Sequence, residues 1–134
     1  MSAIDRNDSP EESEWIENQV KENIAKYGDV PPPWVFRPNS HPWSIQWRMG
    51  AGETYCMVYA SWLNKNCNTL EDQIKFFKKY PPPPRWLGDV ACTIWNLEPM
   101  DESFDYSKYF SELEKNGIKG SEKYKEDLSD EQWD

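Results

Sequence analysis

The sequence predicts a mainly α fold: a single compact helical domain of about five helices, with a tryptophan-rich core and one extended, proline-rich segment. Three observations predict it. Apolar residues recur at helical spacing in five separate stretches. Capping residues, glycines and prolines punctuate those stretches. Eight Trp, seven Tyr and five Phe supply bulk for a core that a hydrophobic content of 37% would otherwise leave thin. At 134 residues the chain has the size of one domain, and its 15% aromatic content excludes wholesale disorder.

The first helix starts at Ser9-Pro10-Glu11-Glu12, where serine caps, proline suits the first helical position and Glu12 completes a capping box. Trp15, Ile16, Val20, Ile24 and Tyr27 then form an apolar stripe, and Gly28 stops it. Five prolines fall within 30–42, and the three successive ones at 31–33 exclude helix and favour extended polyproline II, with Trp34 and Phe36 in need of cover. Trp43, Ile45, Trp47 and Met49 alternate with polar residues, which predicts a short strand or extended edge and leaves an α+β arrangement open. From Glu53, residues Tyr55, Cys56, Tyr59, Trp62 and Leu63 predict a central helix that is apolar around much of its girth. Thr69 caps the next helix, which carries Leu70, Ile74 and Phe77 against a Lys75/Lys78/Lys79 face and ends at Pro81. A fourth begins near Arg85, uses Leu87, Val90, Ala91, Ile94 and Trp95, and closes at Glu98-Pro99. A fifth is expected from about Ser103 to Asn116, before Gly117. These elements place the domain at 9–117, after a flexible terminus at 1–8 and before an acidic, loosely ordered tail at 118–134, for which short helical turns at Ser121 and Ser129 are the equal alternative.

No run approaches the roughly 18 apolar residues needed to span a bilayer. The start also lacks the basic and apolar regions of an export signal. The expectation is a cytoplasmic chain with no membrane partner. Cys56, Cys67 and Cys92 cannot all pair within one chain and read as reduced, buried or half-buried thiols. With no CxxC pair and His41 as the only imidazole, no metal site and no cofactor are expected.

Two proline runs lead into tryptophan, Pro31-Pro32-Pro33-Trp34 and Pro81-Pro82-Pro83-Pro84-Arg85-Trp86. They read as stiff connectors that set Trp34 and Trp86 in place, rather than as ligands for proline-binding modules. The stretch Trp47-Arg48-Met49-Gly50-Ala51-Gly52-Glu53 is less ordinary. Its glycines let backbone approach something closely, yet it lacks the lysine and length of a phosphate loop. A strand-to-helix turn with Glu53 near the helix start is the favoured reading, and an anion at that helix start is the other. Residues 33–55, with Trp34, Trp43 and Trp47-Arg48-Met49-Gly50-Ala51-Gly52-Glu53-Thr54-Tyr55, resemble small tryptophan-rich bacterial proteins of unknown function that carry a WRMGxGExY segment. The resemblance implies a bacterial or phage setting and brings no catalytic residues.

Catalysis is not indicated. His41 lies in a proline-broken loop and reads as solvent-exposed, and Glu53 is the one carboxylate set among aromatics. The charge of −9 is uneven: −5 over residues 1–29, +3 over 30–97 and −7 over 98–134. Acidic terminal thirds oppose direct binding of nucleic acid and suit a basic protein partner. The leading expectation is therefore a non-enzymatic binding protein, an immunity protein or antitoxin that neutralises a bacterial toxin. Its candidate contacts are Glu11, Glu14, Glu17, Trp34, Trp43, Arg48, Glu53, Trp86, Asp101, Glu102 and Asp105. Two alternatives stand beside it: a phage inhibitor of a host defence complex that mimics nucleic acid, and a small enzyme centred on Glu53, Arg48 and His41.

Overall fold

Seven α-helices, three short 3-10 turns and no strand make up the regular structure among the described residues, 10–101 and 103–133, with side chains described from residue 13 onward. The structure is a computed structural model. Its chain resolves into two compact units: Met1–Pro38 with Trp43–Asn68, and Asn39–Pro42 with Thr69–Asp134.

In the first unit, α1 (Pro10–Tyr27) ends where Gly28 turns to φ +86° and its N–H returns to the Ile24 carbonyl at 2.8 Å. The expected Ser9 cap lies outside the described residues. Val30 and Pro31 to Pro33 are buried, and against the expected exclusion of helix a single turn, α2 (Pro33–Phe36), starts at Pro33, where a first helical position needs no N–H. The prolines thus serve as connectors and deliver Trp34 to the interior at 5% exposure. α3 (Gly50–Asn66) carries Cys56, Val58, Tyr59 and Leu63 into the core, and α1 packs on it.

The expected strand at 43–49 does not form. Its alternating run has no partner strand, and Ser44 instead accepts from the Gln46 N–H and starts a 3-10 turn over Ile45–Trp47. Only Trp47 of the four alternating apolar residues goes inside, at 7% exposure. The second glycine, Gly52, is explained by the same turn. A Cβ on Gly52 would sit 1.8 Å from the Gln46 carbonyl oxygen, so a bare backbone is required where helix and turn meet.

The second unit begins its helices with α4 (Leu70–Lys79), capped as the sequence predicts: Thr69 Oγ1 accepts from the Asp72 N–H at 3.1 Å. A 3-10 turn over Pro84–Trp86 feeds α5 (Leu87–Trp95), which stops at Asn96 in the left-handed region, before the expected Glu98-Pro99. α6 (Ser107–Lys115) starts later than expected, because Asp105 accepts from the Ser107 N–H and fixes the start there.

Residues 118–133 are not a loosely ordered tail. Gly117 and Gly120 at positive φ turn the chain, Ile118 and Tyr124 are buried, and a 3-10 turn at Ser121–Lys123 continues as α7 (Tyr124–Leu128). Arg85 holds this segment. It is 3% exposed, donates from its backbone N–H and from Nη1 to Asp127 Oδ2 at 2.9 and 3.3 Å, and donates from Nε to the Ser40 carbonyl at 2.8 Å. Trp133 lies with its ring centroid 3.7 Å from the same guanidinium. No helix among the described residues is long and apolar enough to cross a membrane.

Candidate functional site

Large apolar side chains left in solvent mark the first unit. Among the described residues ten are exposed, and eight of them belong to it: Trp15, Ile24, Tyr27, Val35, Phe36, Trp43, Ile45 and Met49. Two local causes produce this. The apolar stripe of α1 is wider than the surface it covers, so Ile16 is buried at 8% while Trp15, Ile24 and Tyr27 stay 42–46% exposed. In α2 one turn cannot bury every side chain, and burying Trp34 leaves Val35 and Phe36 outside.

Between α1 and the α2–α3 side lies an open groove of about 290 Å³, lined by Gln19, Glu22, Asn23, Lys26, Tyr27, Pro31, Val35, Phe36 and Tyr55. Its floor is rigid. The Phe36 and Tyr55 rings stack at 4.3 Å with 12° between their planes, and the Tyr55 hydroxyl donates to the Pro31 carbonyl at 2.6 Å. Gln19, Glu22, Asn23 and Lys26 follow i, i+3, i+4, i+7 spacing, so one stripe of α1 forms the wall.

The segment after Pro42 presents a second set of apolar groups. Trp43 is 52% exposed, Ile45 65% and Met49 58%, with Arg48 exposed beside them. It is firmly held from behind. Trp47 is buried, Gly52 abuts the Gln46 carbonyl, and Arg37 Nη1 donates to Gln46 Oε1 at 2.6 Å. A rigid segment that displays Trp, Met and Arg loses little conformational freedom on binding, and those residue types are enriched in protein interfaces.

The sequence-predicted contact residues separate accordingly. Trp34 and Trp86 are 5% and 3% exposed and are core residues, not contacts; each follows a proline run that steers it inward. Glu14 and Glu17 lie exposed on the outer face of α1, and Trp43, Arg48 and Glu53 are exposed in the first unit. Glu53 sits in the first turn of α3, where a carboxylate is favoured. Asp101 and Asp105 are exposed in the second unit. Hydrogen bonds from the hydroxyls, and then the N–H groups, of Ser103 and Ser107 hold both carboxyls below the usual range. Both therefore already cap their own chain. The Glu11 side chain and Glu102 lie outside the described residues.

The enzymatic groupings gain no geometric support. His41 is half-buried rather than exposed, and its Nε2 lies 2.9 Å from the Leu128 carbonyl. A carbonyl only accepts, so that nitrogen carries the proton and His41 serves as an anchor for α7. Cys56 and Cys67 are buried, Cys92 half-buried, and none of the three forms a disulfide. Burial pushes the Cys92 thiol above its ordinary value, against the direction that activates a nucleophile. Among the described residues no group of three or more His, Cys, Asp or Glu is placed to hold a metal ion.

Sequence reasoning missed the groove residues Tyr27, Val35, Phe36 and Tyr55, together with Ile45 and Met49. The available signal was the excess of aromatic residues over what two short elements can cover. No family model, no curated protein and no solved structure matches this chain.

Proposed function

We propose that the chain is a non-enzymatic protein-binding module that neutralises a basic partner, in the manner of an immunity protein or antitoxin. The observation that carries the reading is the clustering of eight exposed large apolar side chains in one unit, on elements held rigid from behind. Exposed Trp and Tyr in such a setting are the residues that dominate binding energy. The net charge of −9 supplies attraction toward a basic surface.

The test is affinity capture from the native lysate, followed by binding of the captured protein to wild type, Trp43→Ala and Glu14→Lys/Glu17→Lys. The expected result is one stoichiometric basic protein. Its affinity falls about thirtyfold, or about 2 kcal/mol, on losing Trp43. The double charge reversal is expected to slow association and flatten its salt dependence. A captured protein whose affinity ignores both variants, or a bait that retains nothing, would overturn the reading.

A further inference from the structure

Arg48 is a cation with no local reason for its place. It is exposed, and its side chain has no ion pair or ring contact among the described residues. It stands just before the N-terminus of α3, the helix end that favours negative charge. Five residues on, Glu53 is also exposed and also without an ion pair among the described residues. Between the two, Gly50 and Ala51 are exposed, and a Cβ added to Gly50 would meet nothing within 4 Å. Trp43, Ile45 and Met49 belong to the same segment and are each more than half exposed. Ile45 precedes Arg48 by three residues, so on the 3-10 turn the two share a face. From Val30 to Gly52 the chain carries no Asp or Glu, in a molecule whose net charge is −9.

We propose that this face is covered by a second copy of the chain, in a two-fold pairing centred on Gly50–Ala51. Arg48 of each copy meets Glu53 of the other, and Trp43, Ile45 and Met49 of both leave the solvent. Three features favour a second copy over a different protein. A two-fold contact must be self-complementary, so that if one residue touches another the reverse contact also exists. One cation and one anion set evenly about a small-residue centre meet that demand, and the bare Gly50 lets the backbones approach closely. The remaining contact groups are apolar, as the interfaces of homodimers tend to be. Finally, two chains of charge −9 repel wherever their acids face each other, and the acid-free stretch is where they can approach. The pairing goes beyond the binding role proposed above: it states what covers this face in the absence of another protein, and the two then compete for Trp43.

The experiment is sedimentation equilibrium of the full chain from micromolar to millimolar concentration, on wild type, Arg48→Glu, Glu53→Arg and the double variant. The expected result for wild type is a mass that doubles across this range. Each single reversal sets like charges against each other at two symmetric places and is expected to weaken pairing about tenfold or more. The double variant, and an equimolar mixture of the two single variants, restore both opposite-charge contacts and should return to within about threefold of wild type. Both positions are exposed, so the far-ultraviolet circular dichroism of the variants should match wild type. A second readout needs no variant: on dilution of the labelled wild-type chain, NMR amide shifts should concentrate in residues 43–53. A wild type that stays monomeric at millimolar concentration, dilution shifts that avoid this segment, a dimer indifferent to the single reversals, or single reversals that the double variant fails to rescue would each overturn the proposal. A chain that pairs in this way but captures no basic protein fails the broader function alone. A captured basic protein bound by a chain that never pairs fails only this inference.

Discussion

Gly52 shows how one residue decides a junction. The Gln46 carbonyl occupies the space where any side chain would begin, and the obstacle is backbone on a turn already fixed by Trp47 and Ser44. Gly52→Ala is therefore expected to lose about 3 kcal/mol, at the upper end of overpacking costs, read from urea unfolding. Gly50→Ala tests a different cause. Its φ is +62° with open space around it, so only backbone strain of about 1 kcal/mol is expected. Two phenols give a pH signature at the same scale. Burial is the main cause that raises Tyr106 and Tyr124, the latter from 10.0 to about 12. The unfolded chain then releases these protons first, so their contribution to stability is intact below pH 10 and is lost as pH climbs from 10 towards 12. Urea midpoints across that window should fall, and Tyr124→Phe should flatten the fall.

At the scale of elements, the instructive case is the Arg85 clasp. The proline run delivers Arg85 to the interior, and Asp127, Ser40 and Trp133 then converge on its guanidinium. Removing the cation leaves the Asp127 carboxylate, 17% exposed, without its ion pair. Arg85→Ala is expected to cost about 3–5 kcal/mol, by the penalty for breaking a buried pair. The check is hydrogen exchange over residues 118–133, which should lose protection before α4 does. Glu112–Lys115, exposed on both sides, is the control pair, and its removal should change stability by less than about 1 kcal/mol. α1 stands at the other extreme: a long helix with a clear stripe, of which Ile16 alone is buried among the described apolar residues. Helical periodicity identified the element correctly and overstated what it covers.

Across the whole molecule, charge and aromatic surface are apportioned differently. The first unit holds nine acidic and six basic residues, a net −3; the second holds fifteen and nine, a net −6. The exposed apolar groups follow the opposite order, eight against two. In the proposed binding role, long-range attraction and short-range anchoring would draw on different residues. That is why Trp43→Ala is expected to act mainly on dissociation, and charge reversal on association and its dependence on salt.

What the chain alone determined was local. The long helices, the Thr69 cap, the Gly28 stop and the stiff proline connectors all depend on neighbours within a few residues, and each was legible in the sequence. The sidedness of tryptophan was not. Trp34, Trp47 and Trp86 went inside and Trp15 and Trp43 stayed out, although composition treats all five alike. Nor did the sequence decide between a loose tail and short helical turns over residues 118–133: Tyr124 packing against the Phe110 ring at 4.9 Å, with Arg85 securing the rest, decides it. Burial is decided by what the remaining chain brings against a surface. Only the tertiary structure therefore separated the tryptophans that hold the fold from those left in solvent.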